Sequence, residues 1–481
     1  MNPTVNKPSQ EDQLKDLYRG YDPEAFRDTI GTVNADGKRN WIYPKKPKGR
    51  YYNARTWVSG LFLALLFIGP FLRWDGHPMF LINILERKFI LFGVIFWPQD
   101  FHLFGLAMIS FFVFIVLFTV IFGRIFCGWV CPQTVFMEMV FRRIEYWIEG
   151  DATQQKKLNK APWTSDKIFK KTAKFGLFAM VSFLIGNLVM AYIVGTEELA
   201  KLITEGPFVN WGKFTGVIAF SGIFFFVFSY MREQACLVIC PYGRLQSVLL
   251  DKDSIVVAYD WIRGEPRGRI NKKEQERTKG DCIDCKLCVH VCPTGIDIRH
   301  GTQMECVNCT ACIDACDEVM DKVGFEKGLI RYDSYNGIAN QQKFRFTPRI
   351  IAYSVVLVGL LSILGFSLGS RSDVEATVLR TPGILYQVTP EGDISNLYNI
   401  QVVNKTNDPF DVQVKMVSHN GIIKMVSDSL IVPASGIGKG AMFIEIPRAE
   451  LEGLKNNIKL EIYTGDRLLD KVKTNFLGPA N

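Results

Sequence analysis

Residues 282–317 read CIDCKLCVHVCPTGIDIRHGTQMECVNCTACIDACD and contain the spacing C-x2-C-x2-C-x3-C twice. The first run consists of Cys282, Cys285, Cys288 and Cys292 and is followed by Pro293; the second consists of Cys306, Cys309, Cys312 and Cys316 and is followed by Asp317. Thiolates are soft ligands that suit iron–sulfur clusters, and steps of three residues let one tight loop turn three sulfurs towards a single site. Each run therefore predicts a loop that supplies three ligands to one cluster.

The fourth ligand of each cluster is expected to come from the other run. The spacing is that of bacterial two-cluster ferredoxins, in which the last cysteine of each run ligates the opposite cluster. It predicts a ferredoxin-like domain with two [4Fe–4S] clusters, one held by Cys282, Cys285, Cys288 and Cys316 and the other by Cys292, Cys306, Cys309 and Cys312. A zinc or disulfide framework is the alternative, but zinc sites usually need only one or two C-x2-C pairs, and dense disulfides are unusual in the cytosol.

The composition and the hydropathy pattern predict a membrane protein. Hydrophobic residues make up 48% of the 481 residues, and 36 residues are Phe. Apolar runs lie near residues 55–73, 101–123, 175–195, 213–231 and 350–369, and each can cross a hydrocarbon core of about 30 Å as a helix. The segment 80–98 is also apolar, but Glu86, Arg87 and Lys88 interrupt it, so we expect it to be interfacial or re-entrant. The predicted architecture is an α-helical membrane bundle of five spans.

The Lys and Arg residues of the loops predict the orientation of the chain in the membrane. Basic residues are concentrated before the first span and in the loop 124–174, whereas the loops 74–100 and 196–212 carry few. The N-terminus and both cysteine runs are therefore expected on the cytoplasmic side, and this reducing compartment suits the twelve Cys. The net charge of +8 is assigned to this inner face, next to membrane lipid, so no nucleic-acid partner is predicted.

The sequence repeats a second cysteine motif, C-x3-C-P, at the cytoplasmic ends of the second and fourth spans. One copy contains Cys127 and Cys131, and the other contains Cys236 and Cys240. Residues four apart lie on one face of a helix, so each pair is expected to stack at a helix end, and the four thiols can converge between two helical hairpins. Soft thiols favour Cu(I), then zinc or a further iron–sulfur centre. The alternative is that these four residues only pack helices together.

The C-terminal part of the chain has a different pattern. Runs such as YNIQVV, FDVQVKM and IKLEIY are separated by Asn, Asp, Pro and Gly, which predicts an Ig-like β-sandwich. By the predicted topology this sandwich is periplasmic. The predicted domains are an N-terminal arm at 1–50, a four-helix membrane domain at 51–250, a ferredoxin-like domain at 251–345, a fifth membrane helix at 346–370, and the sandwich at 371–481.

These features resemble a known family, the cytochrome c oxidase accessory proteins called CcoG, FixG or RdxA. The resemblance is carried by the motifs CGWVCP, CLVICPYGRLQSVLLDKDS, VAYDWIRGEPRG and CVHVCPTGIDIR together with the fused sandwich. It implies a protein of the bacterial inner membrane that reduces Cu(II) to Cu(I) for assembly of a cbb3-type oxidase, with oxidase-assembly proteins as partners. The family's C-x3-C-P cysteines correspond to Cys127, Cys131, Cys236 and Cys240, which are the expected copper ligands and catalytic residues.

Two other functions remain open from the sequence. The chain can be a membrane ferredoxin that passes electrons between quinol and a partner protein without copper, or its clusters can be structural parts of an assembly scaffold. The sequence shows neither a G-x-G-x-x-G motif after a strand nor a Walker A motif, and only His102 lies in a predicted span. No nucleotide or membrane haem site is therefore predicted, and the electron donor stays unidentified.

Overall fold

The computed structural model describes residues 39–479, except 75–76, 84–87, 207, 271–278, 384, 407 and 428. The chain forms two compact units, one made of Met1–Glu86 with Gly105–Leu361 and the other of Arg87–Phe104 with Ser362–Asn481. Most of the expected N-terminal arm, residues 1–38, lies outside the described residues, as do Glu86 and Arg87.

Five helices in the described part of the chain are long and apolar enough to cross a membrane. The spans are Arg50–Phe71, Phe101–Phe122, Ser165–Val194, Trp211–Met231 and Pro348–Gly369. The expected five-span bundle is confirmed, and the third span begins ten residues before the apolar run that predicts it. Lys167 and Lys174 lie in this added part, where Lys167 donates to the carbonyls of Asn159 and Ala161 and Lys174 pairs with Glu149 at 3.0 Å. These contacts let basic residues continue the helix.

Shorter elements connect the spans. The helices of the chain are α1 (Arg50–Ile68), α2 (Phe101–Phe122), α3 (Ile125–Trp129), α4 (Pro132–Val135), α5 (Arg142–Ile148), α6 (Ala152–Lys160), α7 (Ser165–Val194), α8 (Thr196–Glu205), α9 (Trp211–Phe226), α10 (Pro241–Leu249), α11 (Trp261–Gly264), α12 (Leu287–His290), α13 (Ala311–Val323), α14 (Tyr335–Asn340) and α15 (Pro348–Gly369). Segments of π-helix cover Phe136–Phe141, Val227–Met231 and Ala235–Ile239. Such segments are rare and often mark functional sites.

The segment 80–98 contains strands, with residues 84–87 outside the described residues. The strands that precede the ferredoxin-like region are β1 (Arg73–Trp74), β2 (His77–Pro78), β3 (Phe80–Asn83), β4 (Lys88–Leu91) and β5 (Val94–Phe96). Strands β4 and β5 form an antiparallel hairpin. In the ferredoxin-like region, β6 (Val256–Tyr259) pairs antiparallel with β7 (Ile330–Asp333). This ladder places the chain before the first cysteine run beside the chain after the second.

The C-terminal residues form two antiparallel sheets, as the alternating pattern predicts. The strands are β8 (Val374–Arg380), β9 (Gln387–Val388), β10 (Ile394–Asn404), β11 (Phe410–Met416), β12 (Ile422–Met425), β13 (Leu430–Val432), β14 (Ile437–Ile446), β15 (Lys455–Thr464) and β16 (Arg467–Leu477). One sheet has the order β12-β14-β10-β8 with β9 on β10, and the other has the order β13-β11-β15-β16. Inward side chains such as Tyr398, Ile444 and Leu460 are fully buried and form the core.

A buried ion cluster organises the unit that contains the sandwich. The Asp100 carboxylate, just before α2, accepts from Arg371 at 2.6 Å and from Lys405 at 2.8 Å, and it also accepts the Trp97 N–H. Burial opposes ionisation of Asp100, but the hydrogen bonds from Lys405, Trp97 and Arg371 outweigh it and lower the pKa of Asp100 below the usual 3.8. Asp100 thus joins the segment before α2 to the residues just before β8 and just after β10.

We expect Asp100→Asn to destabilise this unit by about 3 kcal/mol, since removing one partner of a buried ion pair leaves the other charges uncompensated. The measurement is thermal unfolding in detergent, in which unfolding is detected by the proteolysis of the sandwich. Because the folded-state pKa of Asp100 is depressed, the stabilisation is present above pH 3.8 and is lost only as the pH falls further. Arg467→Gln is the matched control, because its pair with Asp373 is exposed, and it should cost less than about 1 kcal/mol. If both variants lost the same amount of stability, the buried ion cluster around Asp100 would not be what stabilises this unit.

Candidate metal centres

The two cysteine loops repeat the same backbone path. The residues on either side of the second cysteine in each run have positive φ: Asp284 and Lys286 in the first loop, and Asn308 and Thr310 in the second. Left-handed backbone is unfavourable for residues other than Gly, most of all for a β-branched residue such as Thr310. Its presence at four matched positions shows that both loops are tightly curled, and strained backbone of this kind is common at functional sites.

The first pocket is lined by Cys282, Cys285, Cys288 and Cys316 together with apolar side chains. It encloses roughly 350 Å³ of space between atoms, part of which is open to solvent. Cys282 and Cys288 are buried, whereas Cys285 is exposed. Three of its cysteines come from the first run, and Cys316 comes from helix α13 of the second run.

The second pocket is lined by Cys292, Cys306, Cys309 and Cys312, and Cys288 borders it as well as the first pocket. It contains roughly 340 Å³ of space between atoms, part of which is open to solvent. None of these cysteines is exposed. The pockets are therefore adjacent, and each combines three cysteines of one run with the last cysteine of the other.

The buried thiols of both pockets are poorly ionised without a metal. Burial raises the pKa of Cys288 to about 12 and that of Cys306 to about 12, although the backbone N–H of Asn308 lowers the latter. Burial also raises the pKa of Cys309 to about 11, against the charge of Arg55. A bound metal centre supplies the positive charge that makes such thiols deprotonate.

The donor set fits a cluster better than a single metal ion. Among the described residues, no three His, Cys, Asp or Glu side chains converge closely enough to hold one ion. A single zinc ion needs sulfurs about 2.3 Å from one centre, whereas a cluster places an iron between each sulfur and the centre and so holds the sulfurs farther apart. Four thiols line each pocket, and this arrangement suits the wider sulfur spacing that a cluster needs.

The C-x3-C-P segments differ from the stacked pairs that helical spacing predicts. Cys127 lies in α3, but Cys131 has a non-helical backbone and precedes α4, which begins at Pro132. Cys236 lies in a π-helical turn, and Cys240 is extended before α10. The expectation that each pair shares a helical face is therefore wrong, because the proline after the second cysteine keeps that cysteine out of the helix.

The two segments nevertheless repeat each other in three dimensions. The second span is interrupted at Gly123 and the fourth at Arg232, four residues before the first cysteine of each motif, and both residues have positive φ. In both copies of the motif a short helical turn follows and contains the first cysteine. The second cysteine is non-helical, and a new helix then begins at the proline. The repeat predicted from sequence thus extends to the backbone conformation.

The four membrane-end thiols lie close enough for their charges to interact. Burial, together with negative charge on other thiols of the group, raises the pKa of Cys127 to about 11 and that of Cys236 to about 12. The Cys127 thiol donates to Gln246 Oε1 at 2.9 Å, and Gln246 donates to Thr119 at 3.2 Å. The guanidinium of Arg124 is buried among these thiols and favours their ionised forms.

Sequence reasoning missed Arg124 and Gln246. Arg124 precedes Cys127 by three residues, but basic residues are common at the inner ends of spans, so nothing in the sequence distinguished it from an ordinary flanking charge. Gln246 lies 119 residues from Cys127 in the chain. Only the fold brings it to the thiol.

The second cysteine loop packs directly on the first C-x3-C-P segment. A Cβ on Gly128 would clash with the carbonyl oxygens of Val307 and Asn308. Cys127 shares an apolar cluster with Val307 and Cys309, and Trp129 donates to the Tyr332 hydroxyl at 3.1 Å. The membrane-end thiols are therefore neighbours of the second pocket.

Family comparisons agree with this organisation. Residues 231–335 match a model described as a 4Fe-4S dicluster domain, and residues 104–151 match one described as a 4Fe-4S binding domain. Residues 364–479 match the IG-like fold at the C-terminal of FixG. The chain is thus an iron–sulfur membrane protein with an Ig-like C-terminal domain.

Two relatives match most of the chain. The chain is 34% identical to Protein RdxA of Cereibacter sphaeroides over 434 residues, which cover 85% of this chain and 90% of the relative. It is 34% identical to the nitrogen fixation protein FixG of Rhizobium meliloti, covering 76% of this chain and 77% of the relative. A crystal structure of a FixG-related protein from Vibrio parahaemolyticus aligns with 22% of this chain at 15% identity and a TM-score of 0.19.

Paired substitutions test the crossed ligand sets. If Cys285 and Cys316 serve one cluster, the double variant Cys285→Ala/Cys316→Ala should lose about four irons, one cluster's worth, while Cys285→Ala/Cys292→Ala should lose about eight. Iron content of anaerobically purified protein is the measurement, and Met304→Ser, an exposed sulfur between the loops, is the control that should lose none. Uncrossed sets would reverse the results of the two double variants.

Proposed function

Since the chain belongs to the FixG/RdxA family of membrane iron–sulfur proteins, we propose that it reduces Cu(II) to Cu(I) for assembly of a cbb3-type oxidase. Two [4Fe–4S] clusters supply single-electron transfer when bound. Cys282, Cys285, Cys288 and Cys316 hold one cluster, and Cys292, Cys306, Cys309 and Cys312 hold the other. Cys127, Cys131, Cys236 and Cys240 bind the copper substrate.

One observation supports this proposal above the others, namely the contact between Cys127 and the second cysteine loop. Because Gly128 has no side chain, the loop carbonyls of Val307 and Asn308 lie directly against the C-x3-C-P segment. The membrane-end thiols therefore lie next to the second pocket, in a position to receive an electron from it. Thiolates prefer Cu(I) to Cu(II), so copper bound there is easier to reduce, and each Cu(II) takes up one electron to become Cu(I).

The proposed copper site uses two or more of the four thiols. No three of them converge on a point in the structure, but Cu(I) accepts as few as two thiolate ligands. Arg124 favours thiolate charge at this site, and Gln246 fixes the Cys127 side chain through a hydrogen bond of 2.9 Å. The remaining thiols are then available to receive or release the ion.

A second candidate is a third iron–sulfur centre on the same four thiols. The match of residues 104–151 to a 4Fe-4S binding domain favours it, because this region contains Cys127 and Cys131. The spread of the thiols, too wide for one ion held by three ligands, is also what a cluster needs. In this case the protein would pass electrons to a partner without binding copper.

The orientation belongs to the proposal. Lys and Arg are concentrated before the first span and in the loop 124–174, so we place the N-terminus and the clusters in the cytoplasm and the sandwich in the periplasm of a bacterial inner membrane. The proposed domain limits are those of the sequence: 1–50, 51–250, 251–345, 346–370 and 371–481. The sandwich would then meet oxidase-assembly proteins outside.

We expect the variant with Ser at Cys127, Cys131, Cys236 and Cys240 to lose Cu(I) binding and Cu(II) reduction while it retains the iron content of the parent protein. The measurements are copper titration, cupric reduction with a chemical reductant, and iron analysis. Met137→Leu is the matched control, since Met137 is a buried sulfur residue near the motif that packs among aromatic side chains, and it should behave like the parent.

Iron analysis separates the two candidates. A loss of about four irons in the four-Ser variant, from about twelve in the parent, would show a third cluster in place of copper. Cupric reduction at the parent rate would show that copper is reduced elsewhere and that these thiols are not the copper site.

A topology reporter tests the orientation. An enzyme that is active only after export should be active when fused after Ser370 and inactive when fused at Glu274, because an odd number of spans separates the N-terminus from the sandwich. A reporter active only in the cytoplasm serves as the control and should give the reverse pattern. The opposite result for both reporters would place the clusters outside and contradict the proposed direction of the chain.

A further inference from the structure

The two cluster pockets differ in their access to solvent. Cys285 and the adjacent Lys286 are exposed at the first pocket. At the second pocket Cys309 is buried, and none of the other cysteines is exposed. The second pocket also adjoins the C-x3-C-P segment through Val307. A soluble protein can therefore approach the first pocket closely, whereas the second pocket faces the membrane domain.

The two pockets also differ in their charge. Two arginines from the membrane domain reach the loop of the second pocket, and each is only 3% exposed. Arg55 Nη1 lies 3.5 Å from the Cys309 carbonyl oxygen, and Arg124 donates to the Met304 carbonyl. Within the part of the chain that the structure describes, neither arginine forms an ion pair with a carboxylate. The charge of Arg124 does act on the nearby Glu305: burial raises the pKa of this carboxyl, and the arginine opposes that larger effect.

The buried arginine of the first pocket is neutralised. Arg299 lines that pocket, and its guanidinium binds Asp297 at 2.6 Å and Asp284 at 2.5 Å. Two carboxylates thus surround one guanidinium. Arg299 therefore adds no net positive charge to the first pocket. The second pocket, in contrast, has two buried arginines that form no ion pair with a carboxylate among the described residues.

Positive charge stabilises a site that gains an electron, most strongly where water is excluded. We propose that Arg55 and Arg124 make the second pocket the site of higher reduction potential, so that electrons enter at the first pocket and leave at the second towards the membrane-end thiols. This inference rests on the two clusters of the proposed function. Arg55 and Arg124 are positioning residues in this scheme, because they act through the charge they place beside the cluster.

The electron balance of the scheme is simple. A soluble one-electron carrier protein docks over Cys285 and Lys286 and is oxidised by one electron. The same electron passes from the first pocket to the second and reduces one Cu(II) at the thiols. The two pockets are adjacent, because Cys288 lines both of them. No covalent bond and no proton needs to move between the pockets.

A potentiometric titration followed by electron paramagnetic resonance tests the inference. The second-pocket cluster should have the higher midpoint potential, and Arg55→Gln and Arg124→Gln should each lower that potential while leaving the other cluster unchanged. The Cys285→Ala variant identifies which signal belongs to the first pocket. Arg55→Lys and Arg124→Lys retain the charge and should keep the parent potential, which separates an effect of charge from a folding defect.

Arg349→Gln is the matched control, since Arg349 is also a basic residue at an end of a membrane helix but pairs with Asp251 at 3.4 Å. It should change neither potential. Equal potentials in the parent protein, a higher potential at the first pocket, or unchanged potentials in both Gln variants would overturn the inference. Protein without iron–sulfur signals would instead overturn the proposed function, so the two failures are distinguishable.

Discussion

The contact between the second cysteine loop and the end of the second span is the constraint on which the arrangement of the cysteines depends. Gly128 allows it, because a Cβ there would meet the carbonyls of Val307 and Asn308, and Gly123 allows the same loop to approach, because a Cβ there would lie against the Asn308 side chain. Backbone hydrogen bonds extend the contact, since the Ile255 N–H donates to the Ile121 carbonyl at 2.9 Å. With this contact, the soft thiols at the membrane end lie beside the second pocket.

A second connection fixes the first membrane helix to the same loop region. Asp314, in helix α13 between the last two cysteines, accepts the Tyr51 N–H at 3.0 Å and the Tyr52 N–H at 2.7 Å. These N–H groups belong to the first turn of α1, which lacks a side-chain cap of its own. A carboxylate at a helix N-terminus is stabilising. The arrangement also brings Arg55, one turn further along, to the Cys309 carbonyl.

The sequence predicted what depends on local spacing. Five apolar runs marked the spans, alternation marked the sandwich, and the cysteine intervals grouped residues that line common pockets, although ligation itself stays a prediction. Contacts across long chain separations could not be read in the same way. Arg55, Gln246 and Asp314 look like ordinary polar residues in sequence, and only the fold places them at a carbonyl, a thiol and a helix end. The helical interpretation of C-x3-C-P failed because periodicity alone does not include the effect of the following proline, which keeps Cys131 and Cys240 out of the helix.

The two C-x3-C-P segments both follow an interruption at a residue with positive φ, but they stabilise it differently. Glycine accepts positive φ at Gly123 without steric cost, whereas Arg232, with φ of 56° and ψ of −125°, is strained. The Arg232 guanidinium binds both oxygens of Glu145, at 2.9 and 2.7 Å, and both side chains are buried. A buried pair of this geometry can hold a conformation that costs about 1–3 kcal/mol. The second copy therefore depends on the ion network around Glu145 for its backbone path, and the position of Cys236 and Cys240 depends on that network in turn.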